Sequence, residues 1–243
     1  MCGRYTRTAV LKLIRQYFGI AVPESDEAEE LTPSWNVAPK TFQPVIRINP
    51  STGAKEVAHM RWGLVPYFAK SSDFNFSTVN AKAETLLDKR SFREPFRRRR
   101  CLVPVDGYYE WQTFDAKKKK KQTWAIGMQS GKTFALGGIW DYWISPDKKS
   151  WLESYSIVTT EPNELLRALH DRMPLIIAEG DYDRWLGPGD PNNPPVDLLR
   201  PFPSEKMKIW RIKPDVGNVK NDRPDLIEPY DPPAEPDEPP MLF

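Results

Sequence analysis

Residues 101–143 read CLVPVDGYYEWQTFDAKKKKKQTWAIGMQSGKTFALGGIWDYW. Three runs rich in aromatic and branched residues, 101–112, 122–128 and 133–143, are separated by short polar breaks. Such side chains fit a pleated, half-buried surface, so the runs read as strands. The lysines at 117–121 fall between two of them and read as the tip of a hairpin. Working outward, WLESYSIVTT (151–160), MPLIIA (173–178) and KMKIWRIK (206–213) continue the β pattern. Upstream, QPVIRIN (43–49) and KEVAHMRWGLVP (55–66) read as strands joined by the turn PSTGA. Helices are few and short. In TRTAVLKLIRQYFG (6–19) the apolar Val10, Leu13, Ile14, Tyr17 and Phe18 fall at helical spacing, and Gly19 supplies a stop. Residues 71–100 begin as a loop and become mostly helical. EPNELLRALH (161–170) predicts a short helix with Thr160 as N-cap and Pro162 in its first turn. DYDRWL (181–186) predicts another. PESDEAEELTPSW (23–35) reads as an acidic loop and GPGDPNNPP (187–195) as a second loop. Strands and helices do not alternate and nothing repeats. The expectation is an α+β fold: a single domain with a curved, mostly antiparallel, barrel-like sheet core flanked by short helices. It spans residues 1–230, followed by a Pro/acidic tail at 231–243. The last 23 residues hold seven Pro and seven acidic residues, a composition that predicts an extended or disordered end.

Composition narrows the function classes. With only Cys2 and Cys101 there is no disulfide framework, and a reducing intracellular compartment fits best, cytoplasm or nucleoid if the source is bacterial. The start is too polar for a signal peptide, and no apolar stretch approaches the ~18 residues of a membrane span. The two histidines and two cysteines are scattered without zinc-ligand spacing, so no metal or other cofactor is expected. The net charge of +2 hides an asymmetry. The first 121 residues carry 22 Lys/Arg against 13 Asp/Glu, and the rest carry 13 against 20. That segregation points to a polyanion on the first half. RRRR at 97–100 reads as a solvated helix end.

Cys2 directly follows Met1. Trimming of Met1 would leave an α-amine and a thiol on adjacent carbons, two nucleophiles with ordinary pKa values near ~8 and ~8.5. By itself a cysteine there is only a small residue at position 2. Three further polar stretches sit where a plain core would not put them. Asn80, in STVNAKAET, has helix capping as its ordinary role. Glu110 interrupts an aromatic strand and would ordinarily face solvent. His170, in ALHDRMP, would ordinarily serve a helix end through its charge. His59 lies in a strand without a motif and reads as structural.

In this order, MCGRY (1–5), WNVAP (35–39), MRWGLVP (60–66), NAKAET (80–85), SFR (91–93), RCLVPVDGYYEW (100–111), TT (159–160) and HDRMP (170–174) resemble the SOS-response-associated peptidase family of abasic-site-processing proteins. The resemblance covers the chain to about residue 230. It implies a substrate, an abasic site in single-stranded DNA, including single/double-strand junctions, and it implies a monomer. It also implies roles. Cys2, once first in the chain, would form a thiazolidine with the opened sugar, shielding the site from strand cleavage. Asn80 would hold the α-amine or the sugar, Glu110 would be the acid/base of ring opening and of crosslink reversal, and His170 would stabilise the opened hydroxyl or shuttle a proton. Arg4, Lys82, Arg93 and Arg172 would meet phosphates. Trp62, with Leu64, Val65 and Pro66, would form an apolar wedge stacking on bases. Lys82 stands where the family usually has Arg, which removes a bidentate fork. Two rivals remain: a cysteine peptidase using Cys2 and His170, which could also remove Met1, and a non-catalytic single-strand binder.

Overall fold

The computed structural model describes residues 2–21, 31–73, 78–115 and 120–231. In chain order, β1 (Tyr5–Arg7) leads to α1 (Leu11–Tyr17), β2 (Ser34–Val37), β3 (Phe42–Ile48), β4 (Lys55–Trp62) and β5 (Asn80–Lys82). Then come α2 (Arg93–Arg98), β6 (Arg100–Val105), β7 (Gly107–Asp115), β8 (Lys120–Met128), β9 (Phe134–Ile144) and β10 (Trp151–Thr160). The chain closes with β11 (Met173–Pro174), β12 (Ile176–Ile177), α3 (Tyr182–Leu186) and β13 (Met207–Ile212).

Strands β4, β10, β9, β6 and β3 pair in a closed ring, because β10 bonds both β4 and β9. All of these pairings are antiparallel except β4–β10. Alternate residues point inward, as the pleat requires. Val45, Met60, Trp62, Cys101, Val103, Leu136, Trp140, Tyr155 and Ile157 therefore fill the barrel as one buried cluster. Gly138 sits among them because a Cβ there would lie 2.8 Å from the Cys101 sulfur. The outward set, including Ile46, Leu102, Ile139 and Val158, is covered by Ile14 and Phe18, Phe92 and Phe96, and Trp185 and Leu186, from α1, α2 and α3 and their flanks. A second sheet, ordered β13-β8-β7-β1-β2, lies alongside.

Several local expectations change. The run 101–112 is not one strand. It breaks at Asp106–Gly107 and feeds both sheets: β6 joins the barrel and β7 the second sheet. Asp106 holds the switch by accepting bonds from the Thr8 N–H (2.5 Å) and hydroxyl (2.8 Å) and from the Thr133 hydroxyl (2.5 Å). Gly107 is required there, since a Cβ would meet the Ile126 carbonyl at 2.9 Å. α1 starts only at Leu11 because Tyr5–Arg7 is claimed by β2 and β7; its buried face is Leu11, Ile14 and Phe18, while Val10 and Leu13 are exposed. Residues 161–170 form turns rather than a regular helix. The Asn163 side chain, not Thr160, accepts from the Leu166 N–H (3.1 Å), and Thr160 ends β10.

Arg100 is not solvated. Its guanidinium is buried and donates to the carbonyls of Phe96, Arg97, Trp185 and Gly187, satisfying the carbonyl ends of α2 and α3. Residues 221–231 are packed rather than loose: Leu226 is buried, Trp210 Nε1 donates to the Ile227 carbonyl (2.7 Å), and Asp222 binds Ser34 and the Trp35 N–H. β7 and β8 make the expected hairpin. Most of the lysine tip, most of the acidic loop and the tail from residue 232 lie outside the described residues.

Candidate active site

The barrel and the second sheet converge on Cys2. Its side chain is fully buried and belongs to the barrel cluster. The Cys2 carbonyl accepts from Asn80 Nδ2 at 2.9 Å, and the Tyr109 N–H donates to the Arg4 carbonyl at 3.1 Å. Asn80 is in place because β5 runs parallel to β10, with Asn80 opposite Ile157. Its Oδ1 is buried and accepts no hydrogen bond from the described residues. Beneath Cys2, the Tyr5 and Tyr155 hydroxyls share a 2.8 Å bond, and Trp62 packs its ring 5.1 Å from that of Tyr5.

Glu110 does not face solvent. It is 3 % exposed on β7, and burial pushes its carboxyl up to about 7, against the pull of the Trp111 N–H. That value places the proton on either side of neutrality, as a general acid/base needs. Burial, reinforced by the nearby charge of Glu110, also pushes the Cys2 thiol up. The thiol is therefore held neutral, contrary to the partly ionised thiol expected from its ordinary pKa. His170 ends the 163–170 turns, which are tied to β7 by the Gln112 side chain donating to the Ala168 carbonyl (2.9 Å). Its Nδ1 accepts from the Arg172 N–H (3.0 Å) and lies 2.6 Å from Asp171 Oδ1. Burial lowers its pKa, with Asp171 opposing, so the imidazole is neutral near pH 7. All four stretches that carry Cys2, Asn80, Glu110 and His170 thus meet through named bonds or charges.

The expected DNA contacts divide. Lys82 and Arg93 are exposed. Arg172 is not a free clamp. Its side chain is 11 % exposed and makes a bidentate pair with Glu84 (2.7 and 2.9 Å) and a bond to the Thr159 carbonyl (2.6 Å). It braces HDRMP against NAKAET. Arg4 is similarly committed, donating through Nη1 to Asn36 Oδ1 (3.0 Å) and the Val216 carbonyl (2.9 Å). Trp62 cannot be a wedge. It is fully buried, donates to the Val79 carbonyl (3.0 Å) and stacks on Tyr155, and Leu64 and Val65 are buried with it. Trp62→Ala is therefore expected to destabilise the fold by about 3–5 kcal/mol, measured by urea unfolding. A variant of wild-type stability would show that the indole is not core.

The exposed aromatic on this segment is the next one along. Tyr67 is 53 % exposed, and the Arg90 guanidinium sits 4.1 Å from the Phe68 ring and 5.9 Å from that of Tyr67. Sequence reading missed all three. The signal was present: YF after a proline ends the apolar run, and only its exposed end is available to a ligand.

The family model described as SOS response associated peptidase (SRAP) matches residues 1–219. The chain belongs to the SOS response associated peptidase family. Among its relatives, the abasic site processing protein YoqW of Bacillus subtilis is 35 % identical over 233 residues, covering 95 % of this chain and all of that protein. The abasic site processing protein HMCES of Pongo abelii is 28 % identical over 244 residues, covering 86 % of this chain and 69 % of its own. A solved structure of a protein from Bacteroides thetaiotaomicron, 28 % identical, superposes with a TM-score of 0.81 over 94 % of this chain and all of that one. That structural likeness agrees with the barrel-like α+β fold described above. No helix among the described residues is long and apolar enough to cross a membrane.

Proposed function

We propose that this protein captures abasic sites in single-stranded DNA as a covalent thiazolidine on Cys2. The observation that carries the reading is a buried carboxyl, Glu110, held near pKa 7 beside the Cys2 thiol. Removal of Met1 frees the Cys2 amine. Glu110 accepts the proton of the sugar's C1′ hydroxyl as the C1′–O4′ bond breaks, then returns a proton to O4′. The amine condenses with the resulting aldehyde, releasing one water and leaving an imine. The thiol adds across that imine and its proton passes to the nitrogen, closing a five-membered ring. Held neutral by burial, the thiol needs a base to take its proton, and Glu110 is the carboxylate at hand. Asn80 fixes the chain start through the Cys2 carbonyl and offers Oδ1 to the amine. His170, neutral and next to Asp171, can take and return a proton at the sugar hydroxyl.

The peptidase alternative is weaker. A peptidase nucleophile needs a thiol with a lowered pKa beside an imidazolium. Here Cys2 is pushed up and His170 down. Intact mass after mixing with abasic single-stranded DNA tests the proposal. The expected species is protein lacking Met1 plus DNA less one water; unshifted protein would end the reading.

Lesion-free single strands should bind through phosphates, with Lys82 and Arg93 in contact and Tyr67 available for base stacking. Affinity is expected to fall steeply with salt. Lys82→Ala and Arg93→Ala should each flatten the slope of log K against log salt by about 0.7–1. An unchanged slope in fluorescence titrations would remove that residue from the interface. The lysine run at 117–121 is expected to matter little to this slope.

A further inference from the structure

Tyr108 stands two residues before Glu110 on β7, so both side chains leave the same face of the strand. It lies opposite Tyr5 across the β1–β7 ladder and packs, 1 % exposed, in the cluster that holds Cys2. The surrounding tyrosines are satisfied: Tyr5 and Tyr155 bond each other, and Tyr109 donates to the Trp35 carbonyl at 2.7 Å. The Tyr108 hydroxyl is buried and has no hydrogen-bond partner among the described residues. Native interiors seldom leave such a donor unmet, and a catalytic role is one of the reasons an interior keeps one.

We propose that Tyr108 is a catalytic residue of this site, donating a hydrogen bond to O4′ of the abasic sugar as the ring opens. The proposal rests on the crosslinking reading above. When the C1′–O4′ bond breaks, the electron pair goes to O4′ and the proton arrives from Glu110. A donor fixed at that oxygen stabilises the developing negative charge without surrendering its own proton. Tyr108 suits that task. Burial, with the neighbouring charges of Glu110 and Cys2 adding to it, pushes its phenol well above the ordinary value, so it stays protonated throughout. The ring packs; the hydroxyl serves the reaction.

Tyr108→Phe keeps the ring and deletes the hydroxyl. Single-turnover crosslinking to abasic single-stranded DNA is expected to slow by about 10-fold or more, with lesion-free DNA affinity within about twofold. The unfolding temperature should equal or exceed that of wild type, because an unmet donor has been removed. A second substrate isolates the step. An oligonucleotide carrying an acyclic aldehyde needs no ring opening, and should react with both proteins at the same rate. An unchanged rate on the abasic strand, an equal slowing on the acyclic aldehyde, or a lowered unfolding temperature each overturns the proposal. The wild-type protein and Cys2→Ala run in parallel. If wild type forms no adduct, the crosslinking reading itself falls and the role of Tyr108 falls with it. If wild type reacts and Tyr108→Phe keeps pace, only the role of Tyr108 is lost.

Discussion

Cys2→Ala and Cys2→Ser are each expected to abolish the denaturant-resistant adduct with abasic single-stranded DNA, leaving only a transient imine that borohydride traps. Both variants keep an α-amine once Met1 is gone, so both can condense with the aldehyde. Neither has a thiol to close the ring, and an open imine hydrolyses or eliminates. The loss should not come from unfolding. Cys2 is fully buried just ahead of β1, and Ala or Ser leaves a small void rather than a clash. Folding can be confirmed by circular dichroism, and the adduct read on a denaturing gel. A stable band of wild-type intensity from Cys2→Ala would sink the thiazolidine.

Glu110→Gln should slow crosslinking and its reversal by about 100-fold or more, the scale of a lost general acid/base. It should leave the affinity for lesion-free DNA nearly intact. The same substitution has an opposite effect on stability, with a sign fixed by linkage. The carboxyl titrates near 4.5 when unfolded and about 7 when folded. Between those values the folded chain holds a proton that the unfolded chain has released. Stability from this group is therefore greatest below pH 4.5, falls as pH rises to about 7, and is level above. At pH 8 the buried carboxylate costs on the order of 3 kcal/mol relative to its unfolded state. The substituted amide carries no charge, so the Glu110→Gln variant should gain about that much at pH 8 and little at pH 5. Urea unfolding at the two pH values measures the gain. A variant that crosslinks at the wild-type rate from pH 5 to 8 would show Glu110 to be a bystander. One that is no more stable at pH 8 than wild type would show that its carboxyl is not held near 7.

The candidate site carries the same tension throughout. A buried carboxyl, and an Asn80 oxygen and a Tyr108 hydroxyl unmet among the described residues, are each unfavourable in the folded chain, and each residue is tied to Cys2 by a bond, a charge or shared packing. The closed barrel and its three covering helices supply the stability that tolerates them.

What the sequence determined by itself follows from short-range physics. Alternating aromatic and branched runs specified most strands, because side-chain period and pleat are the same thing. The β3–β4 and β7–β8 hairpins followed from short polar breaks between such runs. The ordered motifs specified the family, and with it Cys2, Asn80, Glu110 and His170 as candidates. The tertiary structure decided what depends on partners distant in the chain. Periodicity cannot show that 101–112 serves two sheets, since the break is made by Thr8 and Thr133 binding Asp106 from elsewhere. It cannot distinguish an arginine that meets phosphate from one consumed internally. Arg172 and Arg4 are consumed because Glu84 and Asn36 arrive from 88 and 32 residues away. Nor can composition tell a stacking tryptophan from a core one. Trp62 went inward because β4 joins a closed barrel in which every second residue faces the axis, and exposure passed to Tyr67 beyond the strand's end. The poise of Glu110 is of the same kind: its residue type was legible, but its pKa came from burial that only the assembled sheets impose.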